Sequence, residues 1–409
     1  MLKNKLTFKY QNIVLAISKA IELTNSRMNN HHKLVAYIAY NIAKKSGITE
    51  YQSLKDILTA GLLHDIGVLP LRGKDESEKI FNSSCYKGED QHAAIGGAFV
   101  KEHLFLGQIS TIIEKHHDSW NNNNNNLNNY SDYNYIISLA DRIATMIHPN
   151  ENILQERYRI IDNIRKNMDN YFCPKYVDAF LNLAGIESFW LFSTPDYIDK
   201  ELEKYFFKIK ANNIDYRDLN TFSFFIARLI DFRIPSTYLH SLSVAYVAEY
   251  LAKLLSFSEV ECEGMFIAGL LHDIGKLAVP VKIIEKPGEL LKLERESINS
   301  HSFYTYTILS IIDNIYPINE WAAYHHEKLD GSGYPFHLNA ENISLGARIM
   351  CVADIFCALK EPRSYKKTLS KEKIIQILNV QSNKNKLDKK IVTLACKNYY
   401  DIEKLVTDT

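Results

Sequence analysis

His272 and Asp273 stand side by side in GLLHDIGKLAVP, residues 269–280, with Leu270, Leu271 and Ile274 around them. An imidazole next to a carboxylate in an apolar helix needs a partner, because an unpaired buried charge is costly. A metal cation satisfies both groups: it pairs the carboxylate and takes a neutral ring nitrogen. The pair recurs as His64-Asp65 in GLLHDIGVLPL, residues 61–71. His240, His301, His325-His326 and Asp354 surround the later pair. His31, His92, His116-His117 and Asp141 surround the earlier one. The same residue types recur in the same order at nearly matched gaps, which marks an internal duplication.

Five histidines and two aspartates suit two divalent transition cations bridged by a carboxylate and a solvent molecule. In the second copy Asp273 is the bridge. His240, His272 and Asp354 are assigned to one cation, and His301, His325 and His326 to the other. The mixed nitrogen and oxygen set favours Fe or Mn over a thiolate zinc site, with Ni, Co and Mg also open. Two such cations clamp a phosphate and lower the pKa of the bridging water, so that hydroxide attacks near neutral pH. Lys276 follows Asp273 by one helical turn and faces the same cavity, where it serves as a point charge on a phosphate oxygen. The first copy has Val68 at that place. Its set, His31, His64, Asp65, His92, His116, His117 and Asp141, is a candidate degenerate metal site.

These side chains must be carried by helices. In SLSVAYVAEYLAKLLS, residues 241–256, Leu242, Ala245, Ala248, Leu251 and Leu255 recur at helical spacing. HKLVAYIAYNIAKKSG, residues 32–47, does the same and ends on Gly47, a helix C-cap signal. Alternating strand patterns are scarce, so the expected fold is all-α: two tandem helical bundles. The predicted boundaries are 1–190, a connecting helix over 191–212 opened by Thr194-Pro195-Asp196, and 213–409. The six cysteines form no CxxC pair and are expected as reduced thiols. The 48 basic and 48 acidic residues cancel, which argues against a nucleic-acid polymer or an anionic membrane as partner. No signal peptide and no membrane-length apolar stretch is present, so a cytoplasmic location is expected. WNNNNNNLNN, residues 120–129, is expected as a surface loop.

HDIGK, then HHEKLDGSGYP over 325–335, then ADIF with RSYKK at 363–367, resembles the HD-GYP family of metal-dependent phosphodiesterases. The resemblance covers most of 213–409. It implies hydrolysis of a cyclic dinucleotide second messenger, cyclic di-GMP or 3′,3′-cyclic GMP-AMP, to a linear dinucleotide. It carries the metal-ligand role onto the seven residues already selected. It implies phosphate contacts at Lys276, Arg363 and Lys366. It also gives Gly331, Gly333, Tyr334 and Pro335 a pocket-shaping role and a surface for a signalling-protein partner. Three positions depart from the family. Ser236 stands where members with a third metal carry Glu, so two metals are expected. Cys357 replaces an Asp, and Thr305 replaces a Gly. The first copy resembles only the wider HD superfamily, since it lacks the GYP loop and the Arg363-Lys366 pair.

The second copy is therefore expected to be the hydrolase, with Asp273 and Lys276 at its catalytic centre. The first copy is expected as scaffold, regulator or half of a homodimer contact. Two alternatives stay open. One is a cyclic-dinucleotide-responsive binding module acting through the GYP surface, and the other is a different HD-type nucleotide phosphohydrolase.

Overall fold

The computed structural model describes residues 7–25, 28–69, 91–103, 105–120, 130–148, 151–168, 170–210, 213–234, 239–361 and 369–407. The asparagine run at 121–129, Ser236, Arg363 and Lys366 lie outside the described residues. Strand β1, Phe8–Lys9, precedes helices α1 Tyr10–Glu22, α2 His31–Lys45, α3 Tyr51–Leu63, α4 Gln91–Lys101 and α5 Ser110–Glu114. Next come α6 Asn134–Thr145, α7 Ile153–Lys166, α8 Pro174–Ala184, α9 Glu187–Leu191 and α10 Pro195–Lys208. Strand β2, Asn213–Ile214, is followed by α11 Tyr216–Arg233, α12 His240–Leu254, α13 Glu259–Leu271, α14 Val281–Ile284 and α15 Lys292–Leu309. The remainder is α16 Ile318–Ala323, α17 Leu345–Lys360, α18 Lys371–Asn383, α19 Lys389–Lys397 and α20 Tyr399–Thr407. The architecture is all-α apart from a two-residue antiparallel pairing of β1 with β2.

Local chemistry starts many of these helices. Ser258 caps α13 and Glu261 returns the bond, and Asp215 with Asp218 does the same for α11. Proline occupies the first turn of α8 and of α10, where its missing N–H costs nothing. At the end of α2, Gly47 takes φ 94°, a left-handed conformation that favours glycine. Helix α12 buries more than its predicted stripe. Val244, Val247 and Ala252 are enclosed with Ala245, Ala248 and Leu251, because α13 and α17 both pack on it. Leu242 and Leu255 are only partly buried. In the first copy α2 stands in the same relation to α3 and α6.

The compact units are Ile13–Asn212, and Asn213–Thr409 together with the N-terminal stretch to Asn12. Residues 191–212, expected as a connecting helix, contribute α10 to the first unit. Its apolar face, Ile198, Leu202, Tyr205 and Phe206, is buried, where a free linker would leave it in water. Tyr205 stacks on Tyr40 with ring centroids 4.0 Å apart, and the Tyr37 hydroxyl donates to the Phe189 carbonyl at 2.9 Å. Residues near the N-terminus, expected in the first domain, join the second unit through β1. Phe8 is fully buried and its ring lies 6.2 Å from that of Tyr216. The five described cysteines are free thiols, four of them buried.

Glycine allows a close helix–helix backbone contact in each unit. A Cβ on Gly269 of α13 would stand 2.4 Å from the Ala245 Cα of α12. A Cβ on Gly61 of α3 would stand 2.6 Å from the Ala36 Cα of α2. This approach brings the start of one helix beside the end of the other, so His240 meets His272 and His31 meets His64. Gly269→Ala must push two backbones apart. It should cost roughly 1–3 kcal/mol of stability through overpacking, measured as a lowered midpoint in urea unfolding.

Candidate metal centres

Both HD pairs sit where a helix ends. His272 caps α13 with φ −56°, and Asp273 opens a tight turn over Ile274–Ala278. His64 and Asp65 stand likewise between α3 and the turn Ile66–Val68. The turn is pressed against the helix that brings the third histidine. A Cβ on Gly275 would fall 1.9 Å from the His301 carbonyl oxygen. A Cβ on Gly67 would fall 1.9 Å from that of His92. Thr305 secures the same junction in the second copy. Its hydroxyl donates to the His272 carbonyl at 2.8 Å and accepts from the Gly275 N–H at 3.1 Å. The departure at Thr305 therefore strengthens the scaffold.

The rings are oriented by backbone. Nδ1 of His272 donates to the Gly269 carbonyl at 2.8 Å. His301 and His325 do the same to Ile298 and Ala322, each at 2.6 Å. A carbonyl only accepts, so each Nδ1 carries a proton, and in the rings that stay neutral, His301 and His325, Nε2 is left with a lone pair. Those lone pairs converge. His301 Nε2 lies 3.1 Å from His325 Nε2, and 3.5 Å from Asp273 Oδ1. The other oxygen, Oδ2, lies 3.3 Å from His272 Nε2 and pairs with the Lys276 ammonium. His240 Nε2 is 3.3 Å from Asp354 Oδ1, and His326 Nδ1 is 3.8 Å from Asp354 Oδ2. Donor atoms of His301, His325 and His326, and of His240, His272 and Asp273, each gather within 4.8 Å. The structure thus brings all seven selected residues together, with Asp273 facing both groups.

This donor set fits divalent cations. Two imidazole lone pairs facing each other at 3.1 Å repel unless a shared positive charge lies between them. Protonation supports the fit. Burial lowers His301 to about 4 and His326 to about 3, and takes His325 well below its usual range. These three rings stay neutral and ligand-ready at physiological pH. Burial also opposes charge on His240, but the hydrogen bonds it donates to Asp354 and Glu361 win and lift it to about 10. Burial pushes the Asp273 carboxyl up, yet His272 and Lys276 outweigh it and hold it well below the carboxylate range.

The GYP loop lies against this centre. Glu327 is buried and accepts from the N–H groups of Phe336 at 2.7 Å and Leu338 at 3.0 Å. Gly333 touches the chain so closely that a Cβ would meet the Lys328 nitrogen at 2.4 Å. Gly331 takes φ 77°. The loop presents Tyr334, with half-buried Pro335 next to it, 4.8 Å from the His326 ring and 6.4 Å from His301.

The first copy repeats the scaffold. His31 Nε2 lies 3.0 Å from Asp141 Oδ1, His92 Nε2 lies 3.3 Å from Asp65 Oδ1, and His92 Nε2 lies 3.2 Å from His117 Nε2. The Nε2 atoms of His64 and His116 are buried without a hydrogen-bond partner. Val68 replaces the lysine, and the Asp118-Ser119 stretch leads into residues outside the description.

Glu361 was not selected from the sequence. Its Oε2 accepts from His240 Nδ1 at 2.8 Å. It therefore does for His240 what carbonyls do for the other rings, with a full charge. It follows Asp354 by two helical turns, the spacing that could have revealed it. Carboxylates behind ligand histidines fix the tautomer and raise basicity. Glu361→Gln should therefore weaken divalent-metal binding about 10–100-fold, read by competition with a chromophoric chelator. Thermal stability of the metal-stripped protein should change little.

The HD domain family matches the chain twice, at residues 29–146 and at 225–391. The 3'3'-cGAMP-specific phosphodiesterase 1 of Vibrio cholerae is 27% identical over 401 residues, covering 94% of this chain and 91% of that protein. The 3'3'-cGAMP-specific phosphodiesterase 3 of the same organism is 38% identical over 151 residues, with the match spanning 33% of its length. A cyclic di-GMP phosphodiesterase response regulator of Xanthomonas campestris is 36% identical over 172 residues, 42% of this chain and 45% of that one. The crystal structure of a cyclic GMP-AMP specific phosphodiesterase of Vibrio cholerae superposes with TM-score 0.65 at 20% identity, over 98% of both chains, and shares the fold. Two HD domains in tandem, spanning most of the chain between them, make it a member of the HD domain family.

Proposed function

We propose that the second copy hydrolyses a phosphodiester of a cyclic dinucleotide, 3′,3′-cyclic GMP-AMP or cyclic di-GMP, to the linear product. The observation that carries this reading is Lys276 paired with Asp273 in a centre whose His326 ring faces Tyr334, a combination absent from the described residues of the first copy. The relatives above support the substrate class. The one matched along nearly the whole chain makes 3′,3′-cyclic GMP-AMP the first substrate to test. The donor set supports two divalent cations, Fe or Mn before others. When bound, such cations polarise the phosphate and provide a nucleophile at neutral pH.

The chain's own groups do the rest. His301, His325 and His326 offer neutral rings, and His240 is backed by Glu361. Asp273 presents one oxygen to each side of the centre. Lys276 is mobile enough to leave the carboxylate and meet a non-bridging phosphate oxygen. Tyr334 and Pro335, braced by Glu327, supply a wall for a base or ribose. Arg363 and Lys366 are proposed as further phosphate contacts from the motif alone. No helix of the described residues is long and apolar enough to cross a membrane, and we place the enzyme in the cytoplasm. The GYP surface is also proposed as the side that a signalling partner would meet.

The full chain loaded with Mn or Fe should convert either cyclic dinucleotide to its linear form, followed by chromatography of products. Chelation should abolish turnover and added metal should restore it. Asp273→Ala should remove activity, Lys276→Ala should lower it roughly 10²-fold, and Asp65→Ala should keep most of it. No turnover of either nucleotide by a metal-loaded sample would overturn the reading, and retained binding without turnover would favour the binding module. Inactivation by Asp65→Ala alone would reverse the roles of the two copies.

A further inference from the structure

His32 is a histidine of the first copy that has no counterpart in the second, where Ser241 stands at its place after the first ligand histidine. It is fully buried, and its Nδ1 has no hydrogen-bond partner. A buried ring nitrogen without a partner calls for an explanation. Its Nε2 points at the Asp65 carboxylate, 3.4 Å from Oδ2, an oxygen that also lies 3.2 Å from His64 Nε2. The corresponding oxygen of Asp273 takes Lys276, so His32 fills from the helix α2 side the position that Val68 leaves without charge. His32, His64 and Asp65 gather their donor atoms within 4.8 Å. Next to them His31 Nε2 and His64 Nε2 lie 3.0 and 3.7 Å from Asp141 Oδ1.

Donors bound to one transition cation at about 2.0–2.2 Å stand about 3.0–3.6 Å apart. The measured spacings, 3.0 to 3.7 Å, are close to that range. We propose that His32 is an additional metal ligand, so that the first copy holds one divalent transition cation in a closed shell of three imidazoles and the carboxylates of Asp65 and Asp141. A four- or five-coordinate cation held by these donors has no position left for water or phosphate, as in structural rather than catalytic sites. The first copy is then a metal-stabilised scaffold, and its lack of a lysine has a partner in its coordination. Glu22 extends the arrangement. It is buried on α1, and its two oxygens lack hydrogen bonds, with the Lys19 ammonium 3.7 Å away.

The test uses the full chain, stripped of metal and titrated with Co(II) alone, in an Asp273→Ala background that disables the second centre. One tightly held Co(II) should remain, with visible absorption bands. His32→Ser, which copies the residue of the second centre, should weaken that binding at least tenfold and shrink the metal-induced rise in melting temperature. The metal-free melting temperature should fall by less than the metal-loaded one, the cavity left by the buried ring accounting for the smaller loss. Equal Co(II) affinity in a folded His32→Ser chain would overturn the proposal. So would equal losses of melting temperature with and without metal, the mark of a packing role. His32→Gln gives the same comparison if His32→Ser does not fold. If neither folds, anomalous diffraction from the unaltered chain soaked in Co(II) decides. An ion within bonding reach of the His32 ring supports the proposal, and an ion more than about 3 Å from it overturns it. These readouts record metal, not turnover, so failure here leaves the phosphodiesterase reading standing, and the reverse holds.

Discussion

The approach of a turn to a helix backbone is the constraint on which each centre depends. Where Gly275 meets the His301 carbonyl, a side chain would have to sit 1.9 Å from oxygen. Only glycine allows that turn to close. Its closure carries Asp273 into reach of His301, while the Gly269 contact carries His272 into reach of His240. Two backbone contacts thus bring groups from three separate segments together around one carboxylate. Gly67 on His92 and Gly61 on Ala36 repeat both contacts in the first copy. The shared part of the two copies is therefore steric, and it can be kept whether or not chemistry is done there.

What differs is the charge offered to one oxygen. Asp273 Oδ2 faces an ammonium on a flexible four-carbon stem, and Asp65 Oδ2 faces an imidazole held rigidly on α2. An ammonium can exchange the carboxylate for a phosphate oxygen when substrate arrives, at little steric cost. A buried ring locked between helices cannot follow a ligand in this way. The two copies keep similar ligand types but differ in the group offered to that oxygen, and the proposed division between a reactive and a fixed centre rests on that difference.

The clustered histidines and aspartates were legible in the sequence because metal chemistry restricts residue type and the duplication displays each type twice. The helices were legible from their periodicity, and α10 from Thr194-Pro195. Other features depend on contacts that no local pattern records. Glu361 reaches back to His240 across 121 positions. β1 finds β2 across half of the chain, Phe8 opposite Ile214, which moves the N-terminal stretch to the second unit. The aromatic stacking of Tyr40 and Tyr205 assigns α10 to the first unit. His32 was hidden for a different reason: next to His31 it looks like an ordinary core histidine until Asp65 is seen beside it.

The GYP loop shows why composition alone would mislead about its stiffness. Three glycine or proline positions in HHEKLDGSGYP suggest a loose connection, since glycine gains conformational freedom that folding must remove. In the structure the loop is pinned by a charge. The Glu327 carboxylate is buried, and it is tolerable there because it accepts from two backbone N–H groups beyond the loop, at Phe336 and Leu338. Gly333 then lies flat on the Glu327–Lys328 backbone. The glycines serve close approach, and the buried glutamate supplies the rigidity that holds Tyr334 against the histidines. A loop fixed in this way can position a substrate without first paying the entropy of ordering itself, which is the property a hydrolase pocket needs and the asparagine run of the first copy does not offer in its composition.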